Sequence, residues 1–183
     1  MSPANFGQLV MAFLAAALVA SAWGWSRLGM RIWTPASVLL LAAAAAVAAV
    51  PTDVAVDGRG ARAALVALAG ALAVVGGGPV TARVFALVDR GETPAQSMDR
   101  AGQVLRGGAW IGALERAAIV ASLVAGWPEG LAVVLALKGL GRYPELRAAE
   151  DGVRTGAAER FIIGTFTSVL WAAACAAVVV LVG

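Results

Sequence analysis

Glu115 and Arg116 stand side by side inside GGAWIGALERAAIVASLVAGW, residues 107–127, a stretch otherwise apolar enough to cross a membrane. Two charges in such a run ask for partners, because a charged side chain at the centre of a span costs about 2.5–3.5 kcal/mol on insertion scales. Lys138 and Arg142 lie one turn apart in the next apolar run, and Glu159, Thr165 and Ser168 mark the last one. Arg83 joins this set through the preceding Gly76-Gly77-Gly78-Pro79. If a helix breaks there, Thr81 and Arg83 fall in the first turn of a new one, where free backbone N–H groups attract anions. Four cations (Arg83, Arg116, Lys138 and Arg142) against two carboxylates (Glu115 and Glu159) leave a surplus of two positive charges. The chemistry implied is the binding of an anion or a lipid head group in a basic pocket between helices. Glu115 is expected to pair with Lys138, and Glu159 with Arg142 or Arg116. A structural alternative has Lys138 and Arg142 snorkelling to head groups while Glu115 and Arg116 staple the bundle.

Other chemistries find little material. The chain has no histidine, and Cys175 is its single cysteine. That removes disulfides, imidazole or thiolate metal sites and histidine-based triads, leaving carboxylates as the only strong metal ligands. One motif, DGRGAR at residues 57–62, matches the core of the CDP-alcohol phosphotransferases, which bind two metals through aspartates. The remaining aspartates of that pattern are missing: Asp53 has the wrong spacing, and after Gly70 the chain continues Ala71, Leu72, Ala73 and Val74. Without them the metals have no cage, so Asp57-Gly58 reads as a solvated turn. No catalytic residue, metal or cofactor is assigned. A membrane-embedded lipid-modifying enzyme, which would have to rely on Glu115, Glu159, Asp89 or Asp99, is the last of three functional classes.

These side chains must be positioned by membrane helices. The 183 residues are 61% hydrophobic and 14% charged, against roughly 45–50% and ~25% in soluble domains, and the mean hydropathy is +0.84. The pattern predicts one all-α transmembrane domain of six spans, near residues 6–25, 35–50, 62–78, 108–126, 128–142 and 160–182. Unbroken apolar runs such as 42–50 lack the alternation of a barrel strand. The third span is expected to be broken at the Gly-Pro step or followed by an interfacial helix, with residues 79–107 forming a cytoplasmic amphipathic helix and loop. The first span is read as a retained helix. Ala20-Ser21-Ala22 resembles a signal-peptide cleavage site, but no positive charge precedes the apolar run.

Basic residues concentrate in the first, third and fifth connections, so these are expected to be cytoplasmic and both termini external in a cell (inner) membrane. Trp23, Trp25, Trp33, Trp110 and Trp127 fall near span ends, as an aromatic belt requires. The charge of +3 calls for no nucleic acid, because the basic residues flank spans and sit among acids.

The segments GGAWIGALER, LALKGLGRYPELR and AERFIIGTFTS together resemble the C-terminal part of an uncharacterised bacterial polytopic membrane family, domain of unknown function 3307. The resemblance spans roughly residues 106–170 and rests on Gly108, Ile111, Gly112, Leu114, Glu115 and Arg116, then Lys138, Arg142, Glu145 and Leu146, then Glu159, Ile163, Gly164, Thr165 and Ser168. Arg160 stands where the family has a tyrosine. The family contributes no activity, only the same cluster of residues. Transport or binding of an anionic or lipid-like substrate is therefore expected first. A scaffold, homo-oligomer or partner subunit with glycine-rich faces comes second.

Overall fold

The computed structural model describes residues 3–26, 29–49, 56, 58–88, 108–148 and 151–182. They form six helices: α1 (Pro3–Trp23), α2 (Gly29–Ala48), α3 (Arg59–Val88), α4 (Gly108–Val124), α5 (Glu129–Ala148) and α6 (Asp151–Val182). No strand occurs among the described residues. Four stretches are long and apolar enough to cross a membrane: Asn5–Trp23, Gly29–Ala48, Arg59–Val88 and Ala158–Val182. The protein is thus membrane-embedded. The other two expected spans exist as helices but fall short: α4 has 17 residues, about 25 Å, and α5 carries Glu129, Lys138, Arg142 and Arg147 in its 20 residues.

Helix ends follow local chemistry. The Ser26 hydroxyl accepts the Gly29 N–H at 2.9 Å and donates to the Trp23 carbonyl at 3.1 Å. That cap starts α2 at Gly29, a turn and a half before the expected Pro35. At the far end of α4, Gly126 has φ +74°. The Trp127 N–H reaches the Ser122 carbonyl at 2.9 Å and the Gly126 N–H reaches Leu123 at 3.1 Å. This paired closure satisfies the last carbonyls, and Pro128 behind it prevents continuation. Gly58, with φ +93° and open space around it, turns the chain into α3.

α3 is the central element, packed against α1, α4 and α6, while α2 leans mainly on α1 and α5 on α4. Its buried positions, Leu65, Ala69, Leu72 and Gly76, recur at three- and four-residue spacing and define one inward stripe. Val10, Leu14 and Ala17 of α1 and Ala172, Cys175 and Ala176 of α6 are fully or almost fully buried by the same rule. Alanine and glycine let the backbones approach closely, which is how helices gain contact where lipid offers no hydrophobic driving force. Large apolar side chains such as Trp110 (80% exposed) and Leu140 (71%) point outward instead.

The expected break in α3 does not occur: the helix runs unbroken through Gly76-Gly77-Gly78 and Pro79. Proline at 79 removes the N–H that would serve the Val75 carbonyl four residues earlier. That carbonyl is served instead by the Trp25 indole Nε1–H at 3.1 Å. The glycines are sockets. A Cβ on Gly76 would lie 2.5 Å from Trp171 Cζ2, one on Gly77 would lie 2.8 Å from Arg116 Cζ, and one on Gly78 would lie 2.8 Å from Trp25 Cη2. Three consecutive glycines thus admit three large side chains, and those side chains hold the helix together where local propensity would end it.

Candidate functional site: a one-sided basic cavity

Where α3, α4 and α6 splay apart, a cavity of about 460 Å³ opens. Its wall is completed by the α1–α2 corner (Gly24, Trp25 and Met30) and by Lys138 and Arg142 of α5. Helix register sets its depth. Arg116, Ser168 and Gly78 line the innermost level, and Gly108, Arg142, Phe85 and Arg160 line the outer one. From Gly108 to Arg116 the rise along α4 is about 12 Å. One turn further inward, Ile119, Val120 and Ala172 are at most 4% exposed, and Leu72, nearly two turns inward of Gly78 on α3, is fully buried. The cavity therefore ends on a close-packed apolar floor and is open at one end of the bundle only.

Arg116 forms the polar part of that floor. It is 5% exposed and is drawn into the space above Gly77. Its Nη1 donates to the Ser168 hydroxyl at 3.2 Å and its Nη2 to the Val74 carbonyl at 2.9 Å. Both acceptors are neutral, and Nε has no partner. The guanidinium is thus hydrogen-bonded but faces no carboxylate within ion-pair distance among the described residues. Thr165 Oγ1, also on the wall, is buried without a partner.

Lys138 differs. It pairs with Glu115, as expected, in a short charge-assisted contact between α5 and α4. The two side chains are 16% and 12% exposed, and Lys138 Nζ also lies 6.0 Å from the Phe161 ring centroid. Arg160 sits over the Phe85 ring at 5.1 Å, within cation–π range. No carboxylate lines the cavity among the described residues; the rest of the wall is chiefly apolar or glycine.

Five of the eight expected site residues therefore meet in one place: Arg116, Lys138, Arg142, Thr165 and Ser168. Glu115 stands just behind, holding Lys138. Arg83 does not belong: it is half-buried on α3 and off the wall, because Gly78, Thr81, Ala82 and Phe85 form the cavity-facing stripe of the unbroken helix and Arg83 falls outside it. Glu159 does not belong either. It is exposed, and no ion pair joins it to Arg116 or Arg142 among the described residues. Nine residues from Ser168 on a 3.6-residue helix puts it about half a turn out of phase. The same register would have found Arg160, Phe161 and Gly164, which share the face of Ser168 and do line the cavity. Trp25 and Met30 carried no local signal, since their place follows from the α1–α2 corner docking on α3.

The segment expected as a cytoplasmic loop, residues 90–106, together with Asp53, Asp57, Asp89 and Asp99, lies outside the described residues. Among the described residues no cluster of three or more acids, cysteines or histidines could hold a metal ion. Compared with family models, curated proteins and solved structures, the chain gives no match to any of the three.

Proposed function

We propose that the chain is a multi-pass membrane protein that binds an anionic or lipid-like substrate in the one-sided cavity and transports or hands on that substrate. One observation carries the reading: a buried guanidinium, Arg116, held only by neutral acceptors at the floor of an open cavity. Arg116 makes no ion pair among the described residues, and the neighbouring carboxylate of Glu115 is already bound to Lys138; burying a charge is costly, and an anion reaching Arg116 would lower that cost. Ser168 and the Val74 carbonyl fix the guanidinium in place, so little is lost in ordering it when the anion arrives. Lys138, neutralised by Glu115, contributes less charge and more shape.

In this reading both termini lie outside and the cavity opens to the cytoplasm, supported by the basic residues of the odd-numbered connections. The closed core beyond Arg116 suits a carrier in one of two states better than a continuous pore. The resemblance over residues 106–170 points the same way, because Gly108, Ile111, Gly112, Arg116, Lys138, Arg142, Gly164, Thr165 and Ser168 all line the cavity. A second reading, a scaffold or partner subunit with a structural charge network, is favoured by the way Lys138–Glu115 ties α5 to α4 and Arg116 ties α4 to α3 and α6.

The test is mass spectrometry of small molecules and lipids retained by mildly solubilised protein, wild type against Arg116→Ala. Enrichment of one anionic species in wild type alone is the expected result. Equal, nonspecific lipid in both, with a stoichiometric co-purifying protein, would replace the substrate reading with the scaffold one.

A further inference from the structure

The shape of the cavity narrows its ligand further, on the premise that it binds an anion at all. We infer that the ligand is a single-chain amphiphilic acid, seated head first on Arg116 with its apolar chain running outward along Met30, Phe85, Ile111 and Phe161. Volume excludes the extremes. At about 10–15 Å³ of such space per water-sized group, 460 Å³ admits on the order of thirty to forty-five groups, far more than a free inorganic anion and fewer than a long two-chain phospholipid. Wall chemistry sets the polarity. Between the Arg116 level and the outer level the surface is mostly apolar, with Pro79, Ala82, Ala109, Ile111 and Phe161, which gains from a hydrocarbon chain; Lys138 at this depth is already neutralised by Glu115.

Depth sets the direction. A bilayer lipid keeps its head at the interface and its chains inward, whereas here the most buried cation, with its unpartnered Nε, is the innermost cavity residue of α4. A ligand whose acid reaches Arg116 must therefore carry its head deeper than its tail. That inverted posture separates a substrate from an annular lipid.

Calorimetric titration of the protein in amphipol with inorganic phosphate and with butyl, hexyl and octyl phosphate tests this. Burial of each methylene is worth roughly fourfold in affinity, so at least a tenfold gain from butyl to octyl is expected, with octanol binding at least tenfold more weakly than octyl phosphate. Ala82→Phe, which fills the apolar wall, should flatten the chain-length gain from butyl to octyl phosphate. Equal affinity for inorganic phosphate and all chain lengths would overturn the amphiphile while leaving an anion site. Octanol binding as tightly as octyl phosphate would overturn the acid at Arg116, as would equal competition by a two-chain phosphatidic acid for the inverted single-chain posture. No binding by any anion would remove both this inference and the function it rests on.

Discussion

The Lys138–Glu115 pair, more than half enclosed between α4 and α5, makes a sharp prediction for single side chains. Removing one partner of a buried pair strands the other, which costs about 3–5 kcal/mol; residual exposure puts Lys138→Ala near the lower end. Glu115→Gln combined with Lys138→Ala should recover much of the loss, and thermal unfolding of wild type, the two single variants and the double reads the cycle. Unchanged melting in both single variants would show that the pair contributes nothing. The glycine sockets predict a contrast within one helix. Gly76→Ala drives a methyl into Trp171 and should destabilise by about 1–3 kcal/mol. Gly70→Ala, with nothing within 4 Å, should be neutral or stabilising by up to about 1 kcal/mol. At this scale the sequence was most legible where register alone decides: Glu115 and Lys138 meet because antiparallel neighbours place them at one depth. Glu159 is the exception, because a position at a helix entrance does not tell which face of the helix the side chain occupies.

Among the helices, α3 shows why a strong local signal failed. Three glycines and a proline disfavour a helix by propensity, yet Trp25, Arg116 and Trp171 supply, from three other elements, the contacts that such a sequence leaves open. The partnership of Trp25 with the carbonyl freed by Pro79 is testable as a cycle. Trp25→Phe should leave Val75 without its donor and cost about 0.5–1.5 kcal/mol, the net worth of an exposed hydrogen bond. In the Pro79→Ala background, where residue 79 regains its own N–H, the same change should cost markedly less. Equal losses in both backgrounds, measured by thermal unfolding, would mean that the indole matters only for packing. The α1–α2 corner was illegible for the same reason: Ser26 caps α2 locally, but nothing local announces that Gly24, Trp25 and Met30 will wall a cavity formed by α3, α4 and α6.

For the molecule as a whole, the all-helical membrane class was readable from composition, because a chain this apolar can bury its surface only in lipid and in itself. The span count was not. Apolar runs of similar length became four helices able to cross a membrane and two that are short or polar, since run length does not reveal whether charges will be drawn to a shared interior. Orientation gives the molecular-scale prediction. With Cys175 replaced, a thiol introduced at Ser97, which lies outside the described residues, should react with an impermeant maleimide only from the cytoplasmic side. Labelling from outside would turn the cavity toward the exterior and reverse the direction of any transport.

The three sockets at Gly76, Gly77 and Gly78 also restrict how such a bundle could change state. Successive helical residues point about 100° apart, so Trp171, Arg116 and Trp25 engage α3 from three directions at one height. A helix held in this way cannot spin about its own axis, because a turn of one residue would bring Val75 or Pro79 side chains against groups that fit only glycine. What remains available to α3 is tilting, with Pro79 as the natural pivot. Opening and closing of the cavity should therefore change the angle between the two halves of α3 while the azimuth of its buried face stays fixed.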